Sequence, residues 1–281
     1  MSHKNKLSLV AQVQCALESK LAIGHSKHAD KALNATKNKI YAWSTFRDYM
    51  KHANYFAAYC RQEHHCRTLE ECRPYVDEWL LTRSELSAYT QKLEAAALAK
   101  LYGCSTKDFI QTKARRRADI TRSRGTKARD RHFSEANHAD FVTFCRSTGL
   151  RRAELADLRG DRLKIFDDQV YVIVDSGKGG RYREVPVINN ADLVVRMMEA
   201  AGTGKVFAKV PCGADIHGYR AEYATSVYNH YARPIKDLPR DQIYYCRRDR
   251  KGVCFDREAM LMASRALGHN RICVVGEHYL R

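Results

Sequence analysis

No apolar run in the 281 residues approaches the ~20 needed to cross a bilayer, and the N-terminus has no signal-like apolar segment. Export and membrane insertion are therefore not expected, and the chain reads as cytoplasmic, with no membrane partner. Among its ten cysteines there is no Cys-x-x-Cys pair. Cys60, Cys66 and Cys72 fall six residues apart, unlike the ligands of a structural zinc site. Free thiols are expected, with zinc on Cys60, His64, His65 and Cys66 as the lesser reading; neither a metal nor a cofactor is expected. The clustered carboxylates of two-metal nucleases are missing. Gly177-Lys178-Gly179-Gly180 is too short a glycine run for a Walker-type phosphate loop, and no Ser or Thr follows its lysine. Negative charge is also scarce. Thirty-two Asp and Glu face 49 Lys and Arg, a formal charge of +17. Such a balance points to a polyanionic partner, nucleic acid first and an acidic membrane surface as the rival.

What is present is enough apolar residue, 44% of the chain, to build a core. Leu9, Val10, Val13, Leu17 and Leu21 recur at helical spacing, and a lysine-rich stretch from Lys27 to Lys39 follows. Helices are expected over Ser44–Arg61 and Leu69–Thr82. Another should run from a Ser87 cap to Tyr102, with Gly103 as its stop. Between Lys113 and Arg131 lie nine Lys or Arg and two Asp, with few apolar residues. This reads as a solvated linker or, functionally, as a basic strap on a duplex. In the second case Lys113, Arg115, Arg116, Arg117, Arg122, Arg124, Lys127 and Arg129 would neutralise phosphates without reading sequence. Beyond it, helices are expected at Ser134–Ser147, Arg151–Leu158, Asn190–Ala201, His217–Tyr231, Asp256–Leu267 and Ile272–Leu280. Strands are expected at Leu163–Phe166, Val170–Val174 and Arg181–Val187, with a hairpin within Asp241–Cys254. The fold class is thus mainly α with a small antiparallel β-sheet. Four segments follow: an N-terminal basic helical segment at 1–40, a helical domain at 41–105, a basic linker at 106–133 and a mixed α/β domain at 134–281.

Six side chains in the last segment form a kit for attack on a phosphodiester. Arginines offer planar forks of donors to a phosphorus whose charge grows in the transition state. Arg151 follows the Gly149-Leu150 turn, and Glu154, three residues on, can orient it. His217 and Arg220 share a helical spacing of three. Lys178 on its glycine turn can protonate a leaving alkoxide or contact a base edge. Tyr279 follows His269 by ten residues. A tyrosine in solution holds its proton to about pH 10, so attack needs an acceptor, for which His217 or His269 is suited. Each feature also has a plain reading: a surface arginine, a helix-surface pair, a charged hairpin turn, one tyrosine of sixteen.

Taken in order, these motifs resemble those of the tyrosine recombinases, the phage-type integrases. Thr148-Gly149-Leu150-Arg151-Arg152-Ala153-Glu154-Leu155 is similar to the first arginine motif. Gly177-Lys178-Gly179-Gly180-Arg181-Tyr182-Arg183-Glu184-Val185-Pro186 is similar to the β-hairpin lysine motif. His217-Gly218-Tyr219-Arg220, Leu267-Gly268-His269 and His278-Tyr279 complete the set. The resemblance implies a helical core-binding domain followed by a catalytic domain of this type. It implies that Tyr279 attacks the scissile phosphate to form a 3′-phosphotyrosine, while Arg151, Arg220 and His269 stabilise the phosphorane. Lys178 would protonate the leaving 5′-hydroxyl, His217 would assist proton transfer, and Glu154 would support Arg151. The implied partners are double-stranded DNA, three further copies in a tetrameric synapse, and accessory DNA-bending or directionality proteins. Integration, excision and resolution all remain open.

Three departures stand out. His217 and His269 are 52 residues apart, longer than usual in the family, so 235–255 reads as an insertion. There Tyr244, Tyr245, Arg247, Arg248 and Arg250 would face DNA, joining Arg181 of the lysine hairpin, or would touch another protomer. Tyr279 also stands one residue farther from His269 than is usual, a helical phase shift of ~100° for a bulge or loop to absorb. Only Leu280 and Arg281 follow it, so an altered assembly contact, or a shortened protein, is expected. The alternatives are a type IB topoisomerase-like cleavage and religation, or a noncatalytic DNA-binding relative.

Overall fold

The computed structural model describes residues 7–116, 119, 133–177, 180–247, 250–269 and 271–280. Arg117, Arg122, Arg124, Lys127, Arg129, Lys178 and Arg248, all singled out above, lie outside the described residues. The chain divides into two compact units, Met1–Ile120 and Thr121–Arg281.

The first unit is built from α1 (Leu9–Glu18), α2 (Lys27–Ala32), α3 (Trp43–His64), α4 (Leu69–Cys72), α5 (Val76–Thr82) and α6 (Ala88–Tyr102). Helix α6 begins and ends where its sequence signals lie. Ser87 Oγ accepts from the Thr90 amide, and Gly103 takes φ +65°. In the lysine-rich stretch Ser26 caps the short α2. Two expectations are corrected. Helix α3 runs past Arg61 to His64, where His65 turns left-handed at φ +55°. The span 69–82 is two helices separated by a 3₁₀ turn at Arg73–Tyr75, because Pro74 has no N–H for the helical ladder. Leu9, Val13 and Leu17 bury their stripe against Phe56, Ala57, Trp79 and Leu98, and Phe109 closes the same core. Glu94 is also fully buried, paired with Arg83 at 3.0 Å.

The second unit comprises α7 (Ala139–Thr148), α8 (Arg152–Asp157), β1 (Leu163–Phe166), β2 (Gln169–Val174), β3 (Arg183–Pro186), α9 (Ala191–Ala201), α10 (Ile216–Tyr231), β4 (Ile243–Tyr245), β5 (Cys254–Asp256), α11 (Arg257–Ala266) and α12 (Ile272–His278). The chain is mainly helical with a small antiparallel sheet, as expected. That sheet has the order β1-β2-β3, with Leu163 and Val185 both opposite Val172. The expected hairpin forms a separate two-stranded sheet with Tyr244 opposite Phe255. The helix expected from Ser134 starts at Ala139, after a 3₁₀ turn over Ala136–His138.

Helix α10 is the buried axle of this unit. Its Tyr219, Tyr223, Ala224 and Val227 join Phe141 and Phe144 of α7 and Met260 and Ala263 of α11 in one apolar cluster. Asp256 fixes where α11 begins. Its carboxylate is fully buried, accepts the Glu258 amide at 2.9 Å, and receives Arg233 Nε and Nη2, each at 2.8 Å. Hydrogen bonds from Arg233 hold this carboxyl well below its usual range, against the opposing effect of burial. Among the described residues no helix is long and apolar enough to cross a membrane.

Candidate active site

The site is organised by the C-terminus of α11. A helix leaves its last carbonyls unbonded and carries partial negative charge there. Here the chain closes with two backbone bonds, Gly268 N to Arg265 O and His269 N to Ser264 O, each 2.8 Å. This 6→1 and 5→2 pair requires a left-handed residue, supplied by Gly268 at φ +67°. It also fixes the backbone of His269, whose carbonyl accepts from Ser264 Oγ at 3.1 Å.

The carbonyls still open are taken by three guanidinium groups from three other elements. Ala266 O accepts from Arg183 Nε at 3.2 Å, and Leu267 O accepts from Arg151 Nη2 at 3.1 Å and also from Arg220 Nη2. Arg220 further donates from Nη1 to Gly149 O. Gly149 ends α7 at φ +56°, and a Cβ there would stand 2.2 Å from Cδ1 of Tyr223. Glycine is therefore needed both for the turn and for the close approach.

Glu154 ties two of the arginines together. One carboxylate oxygen accepts from Arg151 Nη1 at 2.7 Å and Arg183 Nη1 at 3.0 Å. The other accepts from the Arg151 amide at 2.8 Å and Arg183 Nη2 at 2.7 Å. Burial pushes this carboxyl up, but the bonds from Arg183 and Arg151 outweigh it and hold it down at about 2. Arg220 differs. Only 1% of it is exposed, no carboxylate among the described residues pairs with it, and its Nε has no hydrogen-bond partner among them. Burial pushes its guanidinium down, and the neighbouring Tyr279 offsets part of that. Three guanidinium groups and one carboxylate leave the cluster with an excess of positive charge, and the buried Nε of Arg220 is a donor without a partner among the described residues.

Tyr279 lies one residue beyond α12, at φ −117° and ψ −47°. Its hydroxyl comes to 3.2 Å from His269 Nε2, and its ring centroid lies 5.7 Å from Arg220 Cζ. Beside it is a cleft of about 240 Å³, lined by Arg151, Arg181, Arg183, Arg265, Gly268 and His269.

Thus Arg151, Glu154, Arg220, His269 and Tyr279 converge on one place, with Arg181 at its rim. His217 is exposed on the first turn of α10, three residues before the buried Arg220. Lys113, Arg115, Arg116 and Arg247 are exposed, and Arg115 lies over the Tyr89 ring at 4.8 Å. Arg183 and Arg265 were missed. Alternation along β3 carried a signal for Arg183, since it shares the inward face with Val185. Arg265 lies on the exposed side of α11, where periodicity gives no clue to a site. Among the described residues no three His, Cys, Asp or Glu are grouped to hold a metal ion.

No protein-family model and no curated protein sequence matches the chain. Solved structures do. The XerH site-specific recombinase bound to palindromic difH substrate, a post-cleavage complex, has a TM-score of 0.51 at 13% identity, covering 97% of this chain and 92% of that one. The same recombinase in a pre-cleavage complex with difH has a TM-score of 0.51 at 14% identity, with coverages of 96% and 92%. The Tn1549 transposon integrase in complex with transposon right end DNA is a slighter likeness, with a TM-score of 0.45, 12% identity and coverages of 98% and 95%. The two XerH likenesses show that the chain has the fold of a site-specific tyrosine recombinase.

Proposed function

We propose that this chain is a site-specific DNA recombinase that cleaves and rejoins strands through a 3′-phosphotyrosine. The observation that carries the reading is the 3.2 Å approach of His269 Nε2 to the Tyr279 hydroxyl beside the buried Arg220. With Nε2 unprotonated, His269 accepts the phenolic proton as the oxygen attacks phosphorus. The new O–P bond forms as the bond from phosphorus to the 5′-oxygen breaks, and that oxygen takes up a proton. Arg151 and Arg220 offer donors to the non-bridging oxygens, whose charge rises in the pentacoordinate state. Glu154 and Arg183 keep Arg151 aimed. Lys178 as the proton donor and His217 as a further proton carrier enter on their sequence motifs alone. Attack by a 5′-hydroxyl from another strand reverses the ester and completes exchange. Double-stranded DNA is the partner, with four copies on two duplexes in the synapse.

A nicked duplex that loses its 5′-hydroxyl fragment after cleavage tests this. The chain is expected to become covalently joined to DNA with a chelator present, and Tyr279→Phe is expected to abolish the adduct. An adduct that persists in Tyr279→Phe would move the nucleophile elsewhere. Relaxation of a supercoiled circle without strand exchange would favour the topoisomerase-like activity.

A further inference from the structure

The β4–β5 hairpin lies in the stretch that lengthens the interval between His217 and His269, and the phosphodiester chemistry above does not use it. It is nevertheless bound to the helix that carries the tyrosine. Arg250 Nη1 donates to the carbonyl of Gly276 and, at 2.8 Å, to that of Leu280. One guanidinium thus takes carbonyls from both sides of Tyr279 in the chain. The Gly276 carbonyl belongs to the last turn of a seven-residue helix and Leu280 follows its cap, where acceptors lack helical donors and a cation is favoured.

The guanidinium is itself supported. Its Cζ lies 5.3 Å from the centroid of the Phe255 ring, which meets Tyr228 of α10 edge-on at 5.4 Å. Hairpin and helix are also in close contact. A Cβ on Gly276 would lie 3.0 Å from Met260 Cε and 3.4 Å from Tyr244 Cε1. The amides of Tyr279 and Leu280 both go to Val275 O, at 2.9 and 3.0 Å, and Leu280 is 1% exposed in the core. The backbone on either side of the tyrosine is therefore fixed, and Arg250 hydrogen-bonds to it from the hairpin.

We propose that Arg250 is a positioning residue for the Tyr279 nucleophile, through which the β4–β5 hairpin locks the end of α12 within the same chain. This rests on Tyr279 being the nucleophile. Arg250 acts on the main chain around that residue and leaves the phosphate to Arg151 and Arg220. It had read as a DNA or protomer contact in the sequence, and here it turns inward instead. Misplacing a reacting group by about 1 Å can cost up to about a hundredfold in rate.

The test compares the full-length chain with Arg250→Ala, Arg250→Gln and Arg250→Lys on the nicked duplex. It reads the single-turnover rate of adduct formation at saturating DNA, the affinity for DNA, and amide exchange at Tyr279 and Leu280. Arg250→Ala is expected to lower the saturated rate by about ten- to a hundredfold, with affinity within about twofold, and to speed exchange at both amides. Gln and Lys retain donors and are expected to recover part of the rate. Should the Ala variant fold poorly, Arg250→Gln carries the comparison under the same criteria. A saturated rate equal to wild type overturns the proposal. So does a loss of affinity with the rate intact, which would make Arg250 a DNA contact. No adduct in the wild-type chain would remove the nucleophile reading and this proposal with it. An adduct formed equally fast by wild type and Arg250→Ala removes the proposal alone.

Discussion

Glu154 decides how the positive charge of the site is distributed. It faces two guanidinium groups with a side chain only 8% exposed, and its carboxyl is held at about 2 from an ordinary 4.5. A depressed folded-state value stabilises the fold at pH above the unfolded value, and the gain is lost as pH falls from about 4.5 through about 2. Glu154→Gln is expected to cost roughly 3 kcal/mol at neutral pH, with the difference from wild type closing over that acid window in denaturation curves. Arg220→Lys should keep a charge but lose the planar fork that spans Gly149 O and Leu267 O. Adduct formation is expected to slow by about 10²–10³ with DNA affinity little changed; equal losses in both would make Arg220 an anchoring residue. At this scale much of the site was legible. Arg151, Glu154, Arg220, His269 and Tyr279 stand in recognisable motifs and do converge. Arg183 was not legible in the same way. Alternation along β3 marks its inward face, but only the register that sets it opposite Val174 and beside Glu154 shows what it does there.

At the scale of elements, helix ends depend on glycine to different degrees. Gly149→Ala adds left-handed strain and drives a methyl into the Tyr223 ring, 2.2 Å away. A loss of about 2–4 kcal/mol is expected by chemical denaturation. At Gly103, left-handed at φ +65° and ψ 29°, the first atom a methyl would meet is the end of the Asn38 side chain, at 3.2 Å, so Gly103→Ala should cost only about 1–2 kcal/mol. Equal costs would mean that the ring yields and that α7 and α10 are less closely packed than the distances imply. Helix boundaries were legible where a cap or a glycine marks them, as in α6. They failed at Pro74, where a single missing N–H divides one periodic stretch in two, and at α3, where His65 supplies the left-handed turn that glycine usually signals. The two-stranded sheet was legible as a hairpin. That it grips α12 was not, because long-range bonds to main-chain carbonyls leave no mark on local sequence.

For the whole molecule, a charge of +17 and a cluster of buried and half-buried arginines fit a DNA-processing protein with the recombinase fold. Binding to a duplex is expected to weaken steeply with salt. Replacing the exposed Lys113, Arg115 and Arg116 together with Gln should flatten the log–log salt slope by about 0.9 for each phosphate no longer neutralised, leaving the saturated cleavage rate unchanged. An unaltered slope would remove these residues from the DNA-binding surface. The central claim is that one tyrosine carries the strand. Its most direct test is to digest the covalent complex with trypsin and locate the attached nucleotide by mass spectrometry. The expected result is a 3′-phosphotyrosine on the 272–281 peptide at Tyr279; a nucleotide on any other residue would contradict it.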